Sequence, residues 1–172
     1  MSVDSIRVCS PQTPFPLRWE IDHHPADSVL IADECITAYR ELLFTRGSHK
    51  PKFVLYRISD DERSIVVDER SSETSYEAFL GKLTSAVDGE GRQAPRYAVY
   101  DVEYDLNEDG RRTTTVFISW MPDATPMRRR MLYASSKEQL RRALDIKISI
   151  HADDVHDIEW RTVLREASGG RL

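Results

Sequence analysis

The chain has 172 residues, 40% apolar and 31% charged, with a formal net charge of −5. That length suits one domain with a sizeable core; no run approaches a membrane span, the N-terminus lacks a signal-peptide core, and the acidic total argues against general nucleic-acid binding. Cys9 and Cys35 make at most one bridge and no zinc site, and without a secretory signal both are expected to be reduced.

Residues 1–26 hold Pro11, Pro14, Pro16 and Pro25, and their apolar residues settle into neither helical nor strand period. They read as an extended arm, docked in part through Phe15 and Trp19. His23-His24 has no carboxylate or cysteine at ligand spacing and reads as a solvated pair, not a metal site. Asp27 to Phe44 is expected to be a helical unit. Asp33 would cap it, with Ile36, Tyr39, Arg40, Leu43 and Phe44 at helical spacing. Cys35 then reads as a packing cysteine rather than a nucleophile.

Lys52 to Ile58 is a strand with Phe53, Leu55 and Arg57 on one face and Val54, Tyr56 and Ile58 on the other, which implies a central strand covered on both sides. Asp60-Asp61 turns the chain into a returning strand, Ser64 to Asp68. Tyr76 to Leu83 is an amphipathic helix capped by Ser75 or Thr74. Val87 to Pro95 is a polar loop; its Gly89-Glu90-Gly91 lacks the lysine and helix start of a phosphate-binding loop. Arg96 to Leu106 and Thr113 to Trp120 are strands paired across the Asn107–Gly110 turn. Asp105, Asn107, Asp109 and Gly110 match the first half of a calcium loop. The twelfth position is Val116, however, and the flanks are strands, so the segment reads as a hairpin turn.

Trp120 to Leu144 is the most informative stretch. Asp123 is a candidate cap and Pro126 falls in the first turn. At 100° per residue Met127, Met131 and Ala134 share one side, while Tyr133, Leu140 and Leu144 lie roughly opposite. A bend near Ser135-Ser136 would reconcile the two stripes. Arginine and methionine together on an outward face suit a protein-binding surface, and a solvated arginine run is the alternative. From Asn107 to Arg142, eight Arg/Lys oppose four acids, a local +4 that leaves the remainder at −9. Such a face suits an acidic partner surface or anionic lipid head groups. Ile146 to Ile150 is a further strand, Asp153 to Asp157 an acidic turn, and Ile158 to Ala167 a final helix burying Trp160, Val163 and Leu164. Strands and helices interleave, predicting an α+β fold: one domain over 27–172 with a central mixed β-sheet sandwiched between helices. No nucleophile elbow occurs and nothing in the sequence poises two carboxylates. The chain therefore reads as a binding protein, not an enzyme, with no cofactor.

The long run Trp120–Leu144, with Met121-Pro122-Asp123, Arg128, Arg130-Met131 and Tyr133-Ala134-Ser135-Ser136-Lys137, resembles the actin-binding helix of the ADF/cofilin family. Ser28 to Glu34, Ser75 to Leu83 and Tyr97 to Tyr104 resemble that family's opening, second helix and central strand. The resemblance covers about Ser28 to Ala167. It implies the ADF-homology (gelsolin-like) fold and a monomeric protein that binds monomeric and filamentous actin and promotes severing and depolymerisation. The implied monomer site is Asp27, Ser28, Val29, Arg128, Arg130 and Met131. The implied filament site is Arg111, Arg112, Arg165 and Glu166, thinned by Thr114 and Gly169 where the family carries bases. The family's phosphorylated serine is matched by Asp27, a permanent negative charge, with Ser28 the neighbouring phosphorylation candidate. Phosphoinositides are expected to compete with actin for Arg111, Arg112 and Arg128–Arg130. The implied location is the cytoplasmic actin cytoskeleton, or the nucleus with actin. Two alternatives stand beside this: a monomer-binding homologue with weak or no severing, and an anionic-lipid or scaffold module.

Overall fold

Apolar residues on both faces of Phe53–Ile58 require cover above and below, and the chain supplies it with two pairs of helices. The structure, a computed structural model, describes residues 29–107 and 110–172. The arm expected over residues 1–26, the Asp27-Ser28 pair and Cys9 lie outside the described residues. In chain order the elements are β1 (Leu30–Ile31), α1 (Asp33–Phe44), β2 (Phe53–Ile58), β3 (Ser64–Ser71), α2 (Tyr76–Thr84), β4 (Arg96–Asp105), β5 (Arg111–Trp120), α3 (Met127–Ala143), β6 (Ile148–Ala152), a short 3₁₀ turn (Val155–Ile158) and α4 (Trp160–Ser168). One six-stranded sheet runs in the order β1-β3-β2-β4-β5-β6. The outer pairs β1/β3 and β5/β6 are parallel and the inner pairs antiparallel.

Alternation along the strands builds two cores. Phe53, Leu55, Tyr100 and Ile118 face α2 and α4. Val54, Tyr56, Val99 and Phe117 face α1 and α3. The predicted mixed sheet between helices is therefore the observed architecture. β2 against β3 carries a bulge: Leu55 faces Glu69 but Tyr56 faces Val67, leaving Asp68 as the extra residue.

Several local expectations shift. Asp33 is not the cap but the first helical residue after Ala32, where its charge with that of Glu34 favours the positive helix end. The buried stripe of α1 is Cys35, Ala38 and Leu42, while Leu43 and Phe44 are exposed. Helical spacing fitted both stripes, and the sheet packs against the one with smaller residues. The Cys35 thiol contacts the Ile65 carbonyl at 3.2 Å, and burial pushes its pKa up to about 12, which makes it the packing cysteine expected. Ser75 caps α2 by accepting from the Ala78 N–H. α3 needs no bend: it is one helix whose buried residues are Tyr133, Ser136 and Leu140, followed by Leu144, while Met127, Met131 and Ala134 face solvent. Ser135 and Ser136 both return their hydroxyls to the Leu132 carbonyl. Asp123 does not cap it; Pro126 occupies the cap position without a side-chain bond. In the acidic turn Asp154 and Asp157 form a reciprocal capping box. Trp160 is 39% exposed and lies against Tyr76 rather than being buried; Val163 is buried as expected, Leu164 is half-buried, and Ala167 joins Val163 in anchoring α4.

α3 is held over the sheet by two hydrogen bonds at one residue. The Tyr133 hydroxyl accepts from the Ile58 N–H at 2.8 Å, and the Tyr97 hydroxyl donates to the Tyr133 carbonyl at 2.6 Å. Tyr133→Phe leaves the buried Ile58 N–H without an acceptor, and a loss of about 1–3 kcal/mol is expected in urea unfolding. No measurable loss would show that the helix is not pinned there. Burial raises the Tyr56, Tyr76, Tyr97 and Tyr133 phenols above their ordinary value. Their contribution is complete below the unfolded value of about 10 and declines as pH rises beyond it. Alkaline unfolding monitored by near-ultraviolet dichroism should therefore begin above about pH 10.

Candidate functional site

The first turn of α3 sets positive charge at the wrong end of a helix. Arg128, Arg129 and Arg130 occupy its N-terminal turn with no acid among them, where the peptide dipoles repel cations by a few tenths to about 1 kcal/mol each. Carboxylates from elsewhere offset this. Arg128 donates to Glu62 at 2.6 Å, and Arg130 lies 3.6 Å from both Asp123 and Asp153. Arg130 also donates to the Pro122 carbonyl at 3.3 Å. The two arginines thus sit on opposite flanks of the helix. Between them Met127 and Met131, 70% and 66% exposed, form an apolar ridge one turn apart. An apolar centre with a cationic rim is the anatomy of a protein contact surface.

The predicted residues divide. Arg128 and Met131 come together on this ridge. Arg130 borders it but is only 30% exposed and holds the preceding loop. Val29 does not join them: it is 2% exposed and packs in the α1/α3 core. Asp27 and Ser28 lie outside the described residues. Helical spacing placed Met127 with Met131 on the outward face, as observed, although the resemblance named only Met131 in the site. Sequence reasoning missed Glu62, which no local pattern connects to α3. Glu62 is held at φ 59°, a left-handed conformation unusual for a residue with a side chain. The turn that adopts it aims the Glu62 carboxylate at Arg128.

A second basic patch lies at the far end of β5, on the order of 30 Å along the strand from Trp120. Arg111 and Arg112 are exposed and sit opposite Asp105 and Tyr104. Cross-strand partners share a face. Arg112 is therefore on the α4 side, where the Tyr104 hydroxyl reaches the Ala167 carbonyl at 3.1 Å and the Thr114 hydroxyl at 3.0 Å. That bond occupies Thr114 as a packing residue. Arg165 and Glu166 are exposed on α4, 3.9 Å apart, so the arginine charge is partly countered. Gly169 has φ 65° and ends α4, a conformation a larger residue would resist.

The sequence pattern of a family described as cofilin/tropomyosin-type actin-binding protein matches residues 28–168. Cofilin of Gibberella zeae is 40% identical over 146 residues, covering 81% of this chain and 94% of that relative. Cofilin of Saccharomyces cerevisiae is 39% identical over 144 residues, covering 83% and 94%. The crystal structure of Streptomyces griseoflavus cofilin superposes with a TM-score of 0.70 at 33% identity, covering 83% of this chain and 99% of that one. Plasmodium berghei actin depolymerization factor 2 gives 0.63 at 27% identity, covering 80% and 96%.

The Glu62 geometry is testable by itself. Glu62→Gly removes left-handed strain of about 1 kcal/mol and an exposed ion pair of up to about 1 kcal/mol. Urea unfolding should show a change between zero and a gain of about 1 kcal/mol. A clear destabilisation would mean that the pair with Arg128 outweighs the strain.

Proposed function

Because the chain belongs to the ADF/cofilin family, we propose that the Met127–Met131 ridge of α3 docks on actin, with Arg128 and Arg130 meeting acidic groups at its rim. The protein binds actin and depolymerises it. The observation that carries the assignment of the surface is two large apolar side chains left exposed between two arginines on the helix where the family resemblance is strongest. Methionine fills irregular apolar clefts, and the arginines add orientation and encounter rate. Glu62 partly neutralises Arg128 in the free protein and must yield it to the partner.

Filament binding and severing follow from adding the Arg111/Arg112 patch and the exposed face of α4. Two contact surfaces, one on the first turn of α3 and one at the far end of β5, can engage neighbouring subunits of one polymer. A weaker filament role, as a monomer-binding homologue, is favoured by Thr114 facing inward and Arg165 lying beside Glu166. Asp27 carries a fixed charge at the start of the domain, and Ser28 is the phosphorylation candidate beside it. Phosphoinositide head groups compete at Arg111, Arg112 and Arg128–Arg130. The protein acts as a monomeric binding protein without catalysis, in the cytoplasm with actin and in the nucleus where actin is present. Among the described residues no helix is long and apolar enough to cross a membrane.

Arg128→Ala with Met131→Ala should weaken monomer binding at least about tenfold, the cost of one central hot spot. The urea midpoint should barely move, because both side chains are exposed. A folded double variant that binds monomer like wild type would reject α3 as the anchor. Arg111→Ala with Arg112→Ala should reduce filament co-sedimentation and severing seen by microscopy while leaving monomer affinity within about twofold. Unchanged co-sedimentation would favour the monomer-binding reading.

A further inference from the structure

The point where the chain enters the folded domain lies beside the methionine ridge. Val29 is buried in the same core as Tyr133 of α3. The next residue, Leu30, donates its N–H to the Arg63 carbonyl at 2.8 Å. Glu62, adjacent to Arg63, holds Arg128 on the flank of the ridge. Residues 1–28 therefore lead into the domain at the Arg128 side of Met127 and Met131. The Arg63 side chain is exposed at this entry, so two cations, Arg63 and Arg128, border it.

The sequence just upstream complements that surface in charge and in apolar spacing. From Trp19 to Asp27 the chain carries Glu20, Asp22 and Asp27 and no lysine or arginine. Taken over the whole arm the apolar residues follow no period, but Phe15, Leu17, Trp19 and Ile21 stand at alternate positions. Extended backbone puts such residues on one side, and Pro16 biases Phe15 toward that conformation. Alternate residues of an extended segment are about 7 Å apart, and residues one helical turn apart, such as Met127 and Met131, are separated by about 6 Å along the axis. Ten residues separate Trp19 from Val29, a reach of about 33 Å at full extension. A tether of that length holds its end near the domain at an effective concentration in the millimolar range, so a contact too weak to form between separate molecules is still populated.

We propose that the Phe15–Asp27 segment docks on the Met127–Met131 ridge of its own chain and shields it until a partner displaces it. Trp19 and Ile21 lie against the methionines, and Glu20, Asp22 and Asp27 meet Arg128 and Arg63, whose long side chains reach up from the flank. The docking does not depend on the actin reading; only its consequence does. If the ridge is the actin anchor, the covered fraction of molecules lowers the apparent affinity for actin in proportion.

The test is methionine oxidation by dilute peroxide in the full-length protein without actin, read peptide by peptide by mass spectrometry. Met121, 2% exposed, is the internal control for an intact fold. Trp19→Ala with Ile21→Ala should speed oxidation of Met127 and Met131 at least about threefold, as expected when the docked form is the majority. Glu20→Lys with Asp22→Lys should speed it too, by a factor that shrinks as salt is added. Met121 should keep its rate in both variants. Unchanged rates at Met127 and Met131 in either variant would overturn the proposal. So would wild-type protection that grows with protein concentration, which would place a second copy on the ridge. Monomeric actin should bind the Trp19→Ala, Ile21→Ala protein more tightly by the same factor as the oxidation rate rises. Faster oxidation without that gain supports the docking and counts against the ridge as the actin anchor.

Discussion

Buried tyrosine hydroxyls fasten the helices to the sheet. Tyr56 donates to the Cys35 carbonyl of α1, Tyr97 to the Tyr133 carbonyl of α3, and Tyr104 to the Ala167 carbonyl of α4. Tyr76 of α2 reaches the Ile158 carbonyl just before α4. Each phenol combines a large apolar body with one directional bond. Apolar packing alone lets a helix slide by a fraction of a turn at small cost, whereas an unmade buried hydrogen bond does not. These bonds therefore fix where each helix lies along the strands. For α3 this matters most, since the outward angle of Met131 follows from the inward angle of Tyr133 two residues later.

With α3 fixed, its first turn carries charges that helix stability disfavours. Three arginines at the positive end of the dipole and two exposed methionines are poor choices for folding. The last turn, with Arg141 and Arg142, follows the favourable polarity. The contrast separates the half of the helix that binds from the half that holds. Local conflict of this kind is expected where a surface is shaped for a partner.

Much of this was legible in the sequence because it is local. The alternation of Phe53–Ile58 predicted a central strand with both faces covered, and the α2 cap was narrowed to Ser75 or Thr74, of which Ser75 is the one used. Spacing failed where it fitted two answers: α1 had two plausible stripes, and only the sheet chooses Cys35–Ala38–Leu42. The two stripes of α3 implied a bend because both were assumed to need burial. Contacts between distant segments, such as Glu62 with Arg128 or Asp68 with Arg57 and Arg96, leave no sequence period. Val29 lay within a segment resembling a contact region, yet its side chain belongs to the core.

The parallel seat of β6 beside β5 has a kinetic consequence. The β4–β5 hairpin needs only a tight turn and can close within microseconds. β6 can pair only after α3 has crossed the sheet, and until then the β5 edge bearing Val116 and Ile118 is open. During synthesis that edge stays unpaired until α3 and β6 emerge, a delay of seconds at ordinary elongation rates. Changes in the hairpin should thus govern how fast the chain folds, and changes in β6 how long it stays folded. The charged and polar residues Lys147, Ser149 and His151 along the late strand would then serve the nascent chain, by discouraging a neighbour's strand from taking the place first.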